Sequence, residues 1–269
     1  MIRDSRQVVE CVPNFSEGSD LAVVDDIVAA IKSAKVLNVH SDPDHNRSVV
    51  TILGEPEAVA KAAFELTERA MQLLDVREHK GEHPFIGVVD VVPFVPIKNI
   101  TVNETVRLAW DFGRDVSAKL ALPVFFYGKA AKIPERRELP NVRRGGYPPK
   151  GKPDVGKGLH PTAGAVAVGV RDFLIAYNVN LNTRDLSIAK SIANNIREKN
   201  GGLPGVRALG IDLKSRGLTQ VSMNICDHRT TSLEKVLAEV QKWAKEYQVK
   251  IIETEVVGML PEQVYALPD

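Results

Sequence analysis

The chain has 269 residues, a formal net charge of +1 and a hydrophobic fraction of 44%. This balance is ordinary for a globular protein, and it gives no general attraction to nucleic acid. The two cysteines, Cys11 and Cys226, form no CxxC pair, so neither a zinc ribbon nor a disulfide framework is expected. Without an apolar signal core or a membrane-length apolar run, the sequence predicts a cytoplasmic protein with no membrane or nucleic-acid partner.

The first half of the chain alternates strand-like and helix-like segments in the order β-α-β-β-α-β. Apolar residues recur at helical spacing after Leu21, and Pro56 stands near the first turn of the strongest predicted helix. Thr101 and Glu104 form a capping-box pattern before a further helix from about Val102 to Leu120. The predicted strands are QVVECVPNF, KVLNVH, RSVVTILG, FIGVVDVVPFVPI and, after that helix, LPVFFYG.

The second half repeats this order. Its helices are marked by apolar residues from Leu186 onward and, after a capping-box pattern at Thr231 and Glu234, from Leu233 onward. The order is that of the split βαβ, or ferredoxin-like, unit. We therefore predict an α+β fold that duplicates two ferredoxin-like subdomains, with the sheets facing each other and the helices outside. The predicted boundaries are 1–128, a Gly/Pro/Lys/Arg-rich connecting segment 129–168 that lines the crevice, and 169–269.

The stretch HKGEHPFIG is the first candidate for chemistry. His79 and His83 are four residues apart, but Glu82 is not placed as in a zinc protease, and Gly81 disfavours a helix. Pro84 favours an extended His83 at the entry of the following strand. A histidine there, beside Glu82, suits proton transfer near neutral pH. Spacing alone leaves this interpretation and a solvated polar turn both open, and no metal site is expected.

Two further polar stretches precede helices or join strands. HSDPDHNRSVV carries Asp42, His45, Asn46 and Arg47 between two predicted strands, which suits either a binding group or an ordinary turn. CVPNFSEG leads into the first helix with Asn14, and an anion site at that helix start competes with a simple N-cap.

The connecting segment contains a glycine-rich stretch, VGKGLHPTAGAVAVG, and several basic residues. The stretch lacks the GK[ST] of a P-loop and follows no strand, so it is either a loop close to a flat ligand or a flexible connection. The basic side chains are either solvated or anchors for carboxylates. These basic residues include Lys129, Lys132, Arg136, Arg137, Arg143 and Arg144.

Four stretches together resemble the formiminotransferase family: VECVPNFSEG, DHNRSVVT, HKGEHPFIGVVDVVPFVPI and HPTAGAVAVGVRDFLIAYNVNL. The resemblance runs from about Val8 to Val257 in the right order. It implies two ferredoxin-like subdomains, in agreement with the duplication above. It also implies transfer of a formimino group from N-formimino-L-glutamate to N5 of tetrahydrofolate, a one-carbon step of histidine degradation, with His83 as general acid/base.

The resemblance also assigns residues to the substrates, with tetrahydrofolate as a co-substrate and no metal. The glycine-rich stretch would contact the folate through Gly156, Lys157, Gly158, His160, Pro161, Thr162 and Gly164. Substrate binding is expected at Asn14, His40, Asp42, Asn46, Arg47, Lys80 and Glu82. The chain is somewhat shorter than expected for the family, and it lacks the cyclodeaminase domain of the bifunctional enzymes.

Two alternatives stay open at this point. The same site would serve formyl transfer between 5-formyltetrahydrofolate and glutamate. Paired ferredoxin-like units also serve as non-catalytic folate-binding or sensing modules, which have no need of a poised histidine. A homodimer is expected from the resemblance alone, and it is physically reasonable since sheet edges of such units can pair.

Overall fold

The computed structural model describes residues 5–266, which form two compact units that divide between Arg171 and Asp172. Each unit is a β-sheet with helices, so the chain is a mixed α/β protein with two sheets. Within residues 5–266, no helix combines the length and the hydrophobicity required to cross a membrane.

Over residues 5–171 the first unit contains seven strands and four helices. The strands are β1 (Val8–Cys11), β2 (Asn14–Phe15), β3 (Lys35–Asp42), β4 (Arg47–Gly54), β5 (Val89–Lys98), β6 (Val124–Gly128) and β7 (Val166–Val170). The helices are α1 (Leu21–Ala29), α2 (Pro56–Leu73), α3 (Val102–Leu120) and the short α4 (Leu139–Val142), which follows a 3₁₀ turn at Pro134–Arg137. The capping box at Thr101 and Glu104 is confirmed, since both of its hydrogen bonds are present.

The first sheet is antiparallel on one side and parallel on the other. β3 pairs with β4, and β4 pairs with β1 and β2, which in turn pair with β5. β7 lies between β5 and β6 and runs parallel to both. All five residues of β7 are buried, and such a continuous apolar run is typical of a central parallel strand.

The position of β7 differs from the predicted domain boundaries. A connecting segment 129–168 and a second subdomain from 169 would divide β7 between them. In the structure the first unit continues to Arg171, because β7 completes the first sheet. The apolar run that precedes residue 171 therefore belongs to the core of the first unit.

Both faces of the first sheet are covered. The larger core cluster joins one face to α1, α2 and α3, with Ile52, Leu66 and Phe112 among its members. A smaller cluster on the other face includes Phe125 and Tyr127 and packs against α4 through Val142. Alternate residues of β6 thus belong to different clusters, as expected for a strand buried on both faces.

The second unit has four antiparallel strands in the order β11-β8-β10-β9. Its strands are β8 (Ile175–Leu181), β9 (Val206–Leu213), β10 (Leu218–Ile225) and β11 (Ile251–Val257). Its helices are α5 (Leu186–Ile196), α6 (Leu233–Glu246) and α7 (Pro261–Tyr265), with a 3₁₀ turn at Glu198–Asn200.

Helix α6 begins at Leu233 as predicted, but its predicted N-cap is wrong by one residue. Ser232, and not Thr231, is the N-cap, because its hydroxyl oxygen accepts a hydrogen bond from the amide of Lys235 at 3.3 Å. Thr231 is fully buried, and its hydroxyl donates to the carbonyl of Pro204 at 2.8 Å. The Thr231 side chain, which the local pattern assigned to the cap, therefore makes a tertiary hydrogen bond instead.

Glu10 on β1 is a buried carboxyl group, and its titration tests this burial. Its side chain is only 3% exposed, and burial raises the pKa of the carboxyl group from 4.5 to about 7 despite the charge of Arg171. Folding thus favours the protonated form, so stability decreases as pH rises through this range, by up to about 3 kcal/mol. We expect Glu10→Gln to stabilise the protein at pH 8 and to lose this advantage near pH 4.5.

The measurement is urea unfolding of both proteins across this pH range. Glu65→Gln is the control with the opposite sign, because hydrogen bonds from Lys32 and Ser33 outweigh burial and lower the pKa of Glu65. A Glu10→Gln protein whose stability relative to wild type does not change with pH would contradict the assignment.

Candidate functional site

Asn46 joins three loops of the first unit around one side chain. Its Oδ1 accepts hydrogen bonds from the amide of Gly18 at 3.0 Å and the hydroxyl of Ser19 at 3.1 Å. Its Nδ2 donates to the carbonyl of Lys80 at 3.0 Å. Asn46 has a φ of 45°, a left-handed conformation that asparagine tolerates better than most residues. The loop before α1, the β3–β4 turn and the loop before β5 are therefore held together.

Two glycines permit the close approach of these loops. A Cβ atom on Gly18 would lie 2.5 Å from the carbonyl oxygen of Asp42, and one on Gly81 would lie 2.3 Å from that of His45. The amide of Glu82 donates to the carbonyl of Asp44 at 3.2 Å across the same contact. Gly81 thus brings the histidine-bearing loop against the β3–β4 turn.

His83 lies partly buried in the loop between α2 and β5. Its Nδ1 lies 2.8 Å from the carbonyl oxygen of Pro84, which can only accept a hydrogen bond. The neutral ring therefore carries its hydrogen on Nδ1, and Nε2 is the basic nitrogen. The ring of His45, which is 7% exposed, lies beside it with a centroid separation of 5.9 Å.

The surroundings of His83 favour its neutral form. Burial is the largest cause that lowers the pKa of His83 well below 6.5, and the charges of Arg47, Arg143 and His45 lower it further. The hydrogen bond to Pro84 acts in the opposite direction and is outweighed. His83 can therefore accept a proton at neutral pH, and it returns the proton readily because the charged ring is disfavoured.

A buried ion cluster lies behind this loop. Asp90 of β5 has no exposed surface, and its Oδ2 accepts from Nη1 of Arg47 at 2.8 Å and from Nη2 of Arg143. Burial alone would raise the pKa of Asp90, but the charges of Arg143 and Arg47 outweigh it and keep the pKa below 3.8. Burial lowers the pKa of Arg47 to about 10, which leaves it charged at neutral pH. One carboxylate and two guanidinium groups leave a net charge of +1.

The structure brings several predicted substrate residues to this cluster. Oδ1 of Asn14 accepts from Nε of Arg47 at 3.0 Å. His40 and Asp42 on β3 are paired with Val49 and Arg47 on β4, so they lie on the same face of the sheet as Arg47. Oδ1 of Asp42 also accepts from the amide of His45 at 2.7 Å.

Lys80 and Glu82 contribute differently from these less exposed residues. Both side chains are exposed on the loop that carries His83. Backbone atoms of both residues bond to the neighbouring loops: the Lys80 carbonyl accepts from Asn46, and the Glu82 amide donates to Asp44.

The predicted folate segment is divided into two parts. Its second part runs along the entry to β5: the amide of Val88 donates to Ala163 at 3.0 Å, and the amide of Ala165 donates to Ile86 at 3.0 Å. In this part Nδ1 of His160 accepts from the amide of Ala163 at 3.0 Å, and Gly164 is buried. Pro161 is exposed and Thr162 is partly buried in the turn between them.

The first part of that segment lies elsewhere on the first unit. Gly156, Lys157 and Gly158 are exposed. A Cβ atom on Gly156 would lie 2.8 Å from the hydroxyl of Ser117 on α3. The preceding residue, Val155, bonds to Val124 at the start of β6. The hydrogen bonds that attach the segment to the His83 loop are therefore those of residues 160–165.

Sequence reasoning missed Asp90 and did not single out Arg143 from the other basic residues. The available signal was a lone carboxylate in the apolar run VVDVV, since a charge buried there requires a partner. An aromatic group was also missed: the ring of Phe85 stacks on Tyr147 at 6.1 Å and meets the edge of His79 at 4.4 Å. Among the described residues, no group of three or more His, Cys, Asp or Glu side chains is arranged to hold a metal ion.

Two family models match this chain. Residues 8–171 match the model of the formiminotransferase domain, N-terminal subdomain, and residues 176–267 match that of the formiminotransferase domain. The chain belongs to the formiminotransferase family. The two matched ranges fall in the two units of the structure, so the family's division of the sequence coincides with the division at Arg171.

Curated relatives extend over nearly the whole chain. A glutamate formimidoyltransferase from Thermoplasma acidophilum is 42% identical over 95% of this chain and 89% of its own length. One from Streptococcus pyogenes serotype M1 is also 42% identical, over the same shares. A formimidoyltransferase-cyclodeaminase from Rattus norvegicus is 40% identical over 95% of this chain, which spans 50% of that longer relative.

The tight contact at Gly81 predicts a local defect. We expect Gly81→Ala to displace the His83 loop, because the new Cβ would overlap the carbonyl of His45. Gly54→Ala is the control, since its nearest contact would be an ordinary 3.5 Å. The measurement is the NMR signals of the His45 and His83 rings, with thermal unfolding alongside. Ring signals of Gly81→Ala that match those of wild type would contradict the packing.

Proposed function

We propose that this chain transfers the formimino group of N-formimino-L-glutamate to N5 of tetrahydrofolate, which gives 5-formiminotetrahydrofolate and glutamate. The family membership and the two glutamate formimidoyltransferases of similar length support this activity. The observation that carries the mechanism is the partly buried His83, with its basic Nε2 and lowered pKa beside two arginines.

His83 acts as the general acid/base of this reaction. N5 of tetrahydrofolate attacks the formimino carbon, and Nε2 of His83 takes the proton that N5 loses. The bond from this carbon to the glutamate nitrogen then breaks, and His83 returns the proton to that nitrogen. One histidine serves both steps because its charged form is disfavoured between them. General acid–base help of this kind contributes about 10²–10⁴-fold.

The ion cluster suits the charges of the substrates. Both substrates carry glutamate carboxylates, and the net charge of +1 on Asp90, Arg47 and Arg143 attracts anions. We propose that the substrate-binding residues are Asn14, His40, Asp42, Asn46, Arg47, Lys80 and Glu82. For the folate we propose Gly156, Lys157, Gly158, His160, Pro161, Thr162 and Gly164. Residues 160–164 have the stronger support, because their part of the segment is hydrogen-bonded to the His83 loop.

Three broader features complete the proposal. The strand order β11-β8-β10-β9 supports a ferredoxin-like topology for the second unit, and the antiparallel strands β1–β5 support a related core in the first. Two free cysteines, one of them buried, suit a reducing cytoplasm. A homodimer agrees with the exposed apolar side chain of Ile252 on β11, at an edge of the second sheet.

His83→Ala tests the catalytic assignment. We expect folate binding to be retained and formimino transfer to fall by two orders of magnitude or more, in line with the acid–base contribution. The measurements are calorimetric binding of the folate and the formation of glutamate and 5-formiminotetrahydrofolate from the two substrates. His228→Ala, in the second unit, is the matched control. Unchanged transfer in His83→Ala would remove its assigned role.

The pH dependence of the reaction follows from the lowered pKa of His83. Because the basic form is already complete at pH 7, kcat/KM should be level through neutrality and decrease only below pH 6.5. A decrease that is centred above pH 6.5 on the acid side would show that a different group accepts the proton. His45→Gln is the control, since removal of the neighbouring ring should shift the His83 limb slightly upward.

A further inference from the structure

Asp90 joins the His83 loop to both arginines of the site. Its Oδ1 accepts from the backbone amide of Ile86 at 3.0 Å, three residues after His83. The same oxygen accepts from Nε of Arg143 at 3.3 Å, while Oδ2 accepts from Arg47 at 2.8 Å. The carboxylate therefore contacts the loop before β5, the start of β4 and the segment after α4.

The two arginines reach this carboxylate from distant parts of the chain. Arg47 is the first residue of β4, and its Nε is held by Asn14. Arg143 follows α4 and is 53 positions away from Asp90, which it contacts through two nitrogens. A two-point contact of this kind fixes the plane of a guanidinium group as well as its distance. Removal of the carboxylate would take this restraint away from both groups at once, although Asn14 would still bond to Arg47.

We infer that Asp90 is a positioning residue for formimino transfer, because it fixes Arg47, Arg143 and the backbone after His83 in one arrangement. This inference rests on the proposed function, and it adds a residue that contacts no reacting atom. Asp90 is fully buried on β5, and its oxygens are engaged by the loop amide and the arginines. It therefore acts on the reaction through the groups that it holds.

Asp154 provides a matched control within the same unit. Its Oδ2 accepts from Nη1 of Arg136 at 2.6 Å and from the amide of Phe126 at 2.7 Å. Asp154 is 8% exposed, so it is also a mostly buried carboxylate that joins an arginine to a backbone amide. Within residues 5–266 its side chain bonds to Arg136 and Phe126, and not to His83, Arg47 or Arg143. A loss that comes only from reduced stability should therefore appear in both variants.

The experiment compares Asp90→Ala and Asp154→Ala in the full chain. We expect Asp90→Ala to lower kcat by about 100-fold, as for a misplaced catalytic group, whereas Asp154→Ala keeps kcat within about threefold of wild type. Formate, added at constant ionic strength, should restore kcat of Asp90→Ala in a saturable way, because it refills the vacated carboxylate position. It should have no such effect on Asp154→Ala. Equal losses of kcat in the two variants, or no rescue by formate, would overturn the inference.

A second variant keeps the inference testable if Asp90→Ala does not fold. A measurement that needs no turnover separates the failure of this inference from the failure of the proposed function. Asp90→Asn keeps the volume of the side chain but replaces one acceptor with a donor that faces the arginines. By NMR at pH 8, where the ring is neutral in both proteins, we expect the His83 ring signals to shift from their wild-type positions, because the loop amide and the arginines that Asp90 holds are displaced. Unchanged His83 ring signals in Asp90→Asn overturn the inference even if wild type transfers nothing. Wild type that transfers nothing to tetrahydrofolate overturns the proposed function alone.

Discussion

A carboxylate in the middle of an apolar strand can stay charged only if its partners come to it. Asp90 is fully buried on β5, and the guanidinium groups of Arg47 and Arg143 supply the opposite charge. Such a group costs several kcal/mol if it loses a partner, so this pairing restrains every segment that contributes to it. The start of β4, the end of α4 and the loop before β5 share this restraint, and the site is built on these three segments.

The chemistry of the site follows from the restraints on the His83 loop and on the His83 ring. Polar contacts at Asn46 and close approach at Gly81 hold the His83 loop against the β3–β4 turn. The hydrogen bond to Pro84 sets the tautomer of His83, and burial, together with the arginine charges, lowers its pKa and favours the neutral form. A histidine in this state has a basic nitrogen at neutral pH and gains little by keeping a proton. This balance suits a reaction in which one nitrogen loses a proton and another gains it.

Local patterns in the sequence predicted much of the fold, and distant contacts account for the rest. Helix α3 and its capping box at Thr101 were predicted because both signals lie within a few residues of each other. The role of β7 was missed because a strand of five residues has no local sign of which strands it will join. Thr231 was assigned to the cap of α6 for a similar reason, since its actual partner, Pro204, is far away in the sequence. The same limit applies to the site. His83 and Arg47 stand in polar motifs that local patterns can identify, whereas the role of Asp90 depends on its contact with the distant Arg143.

The placement of β7 shows that the basic, glycine-rich segment lies within the first unit and does not connect the two units. The segment leaves the sheet after Gly128 and returns at Val166, and β6 and β7 are neighbouring parallel strands. It is therefore a closed loop of the first unit, and the chain passes to the second unit only after Arg171. Anchoring both ends of a loop has already removed the entropy of bringing those ends together. Ordering it around a flat ligand consequently costs less free energy than ordering a flexible connection between domains, and glycines in it do not make it a hinge.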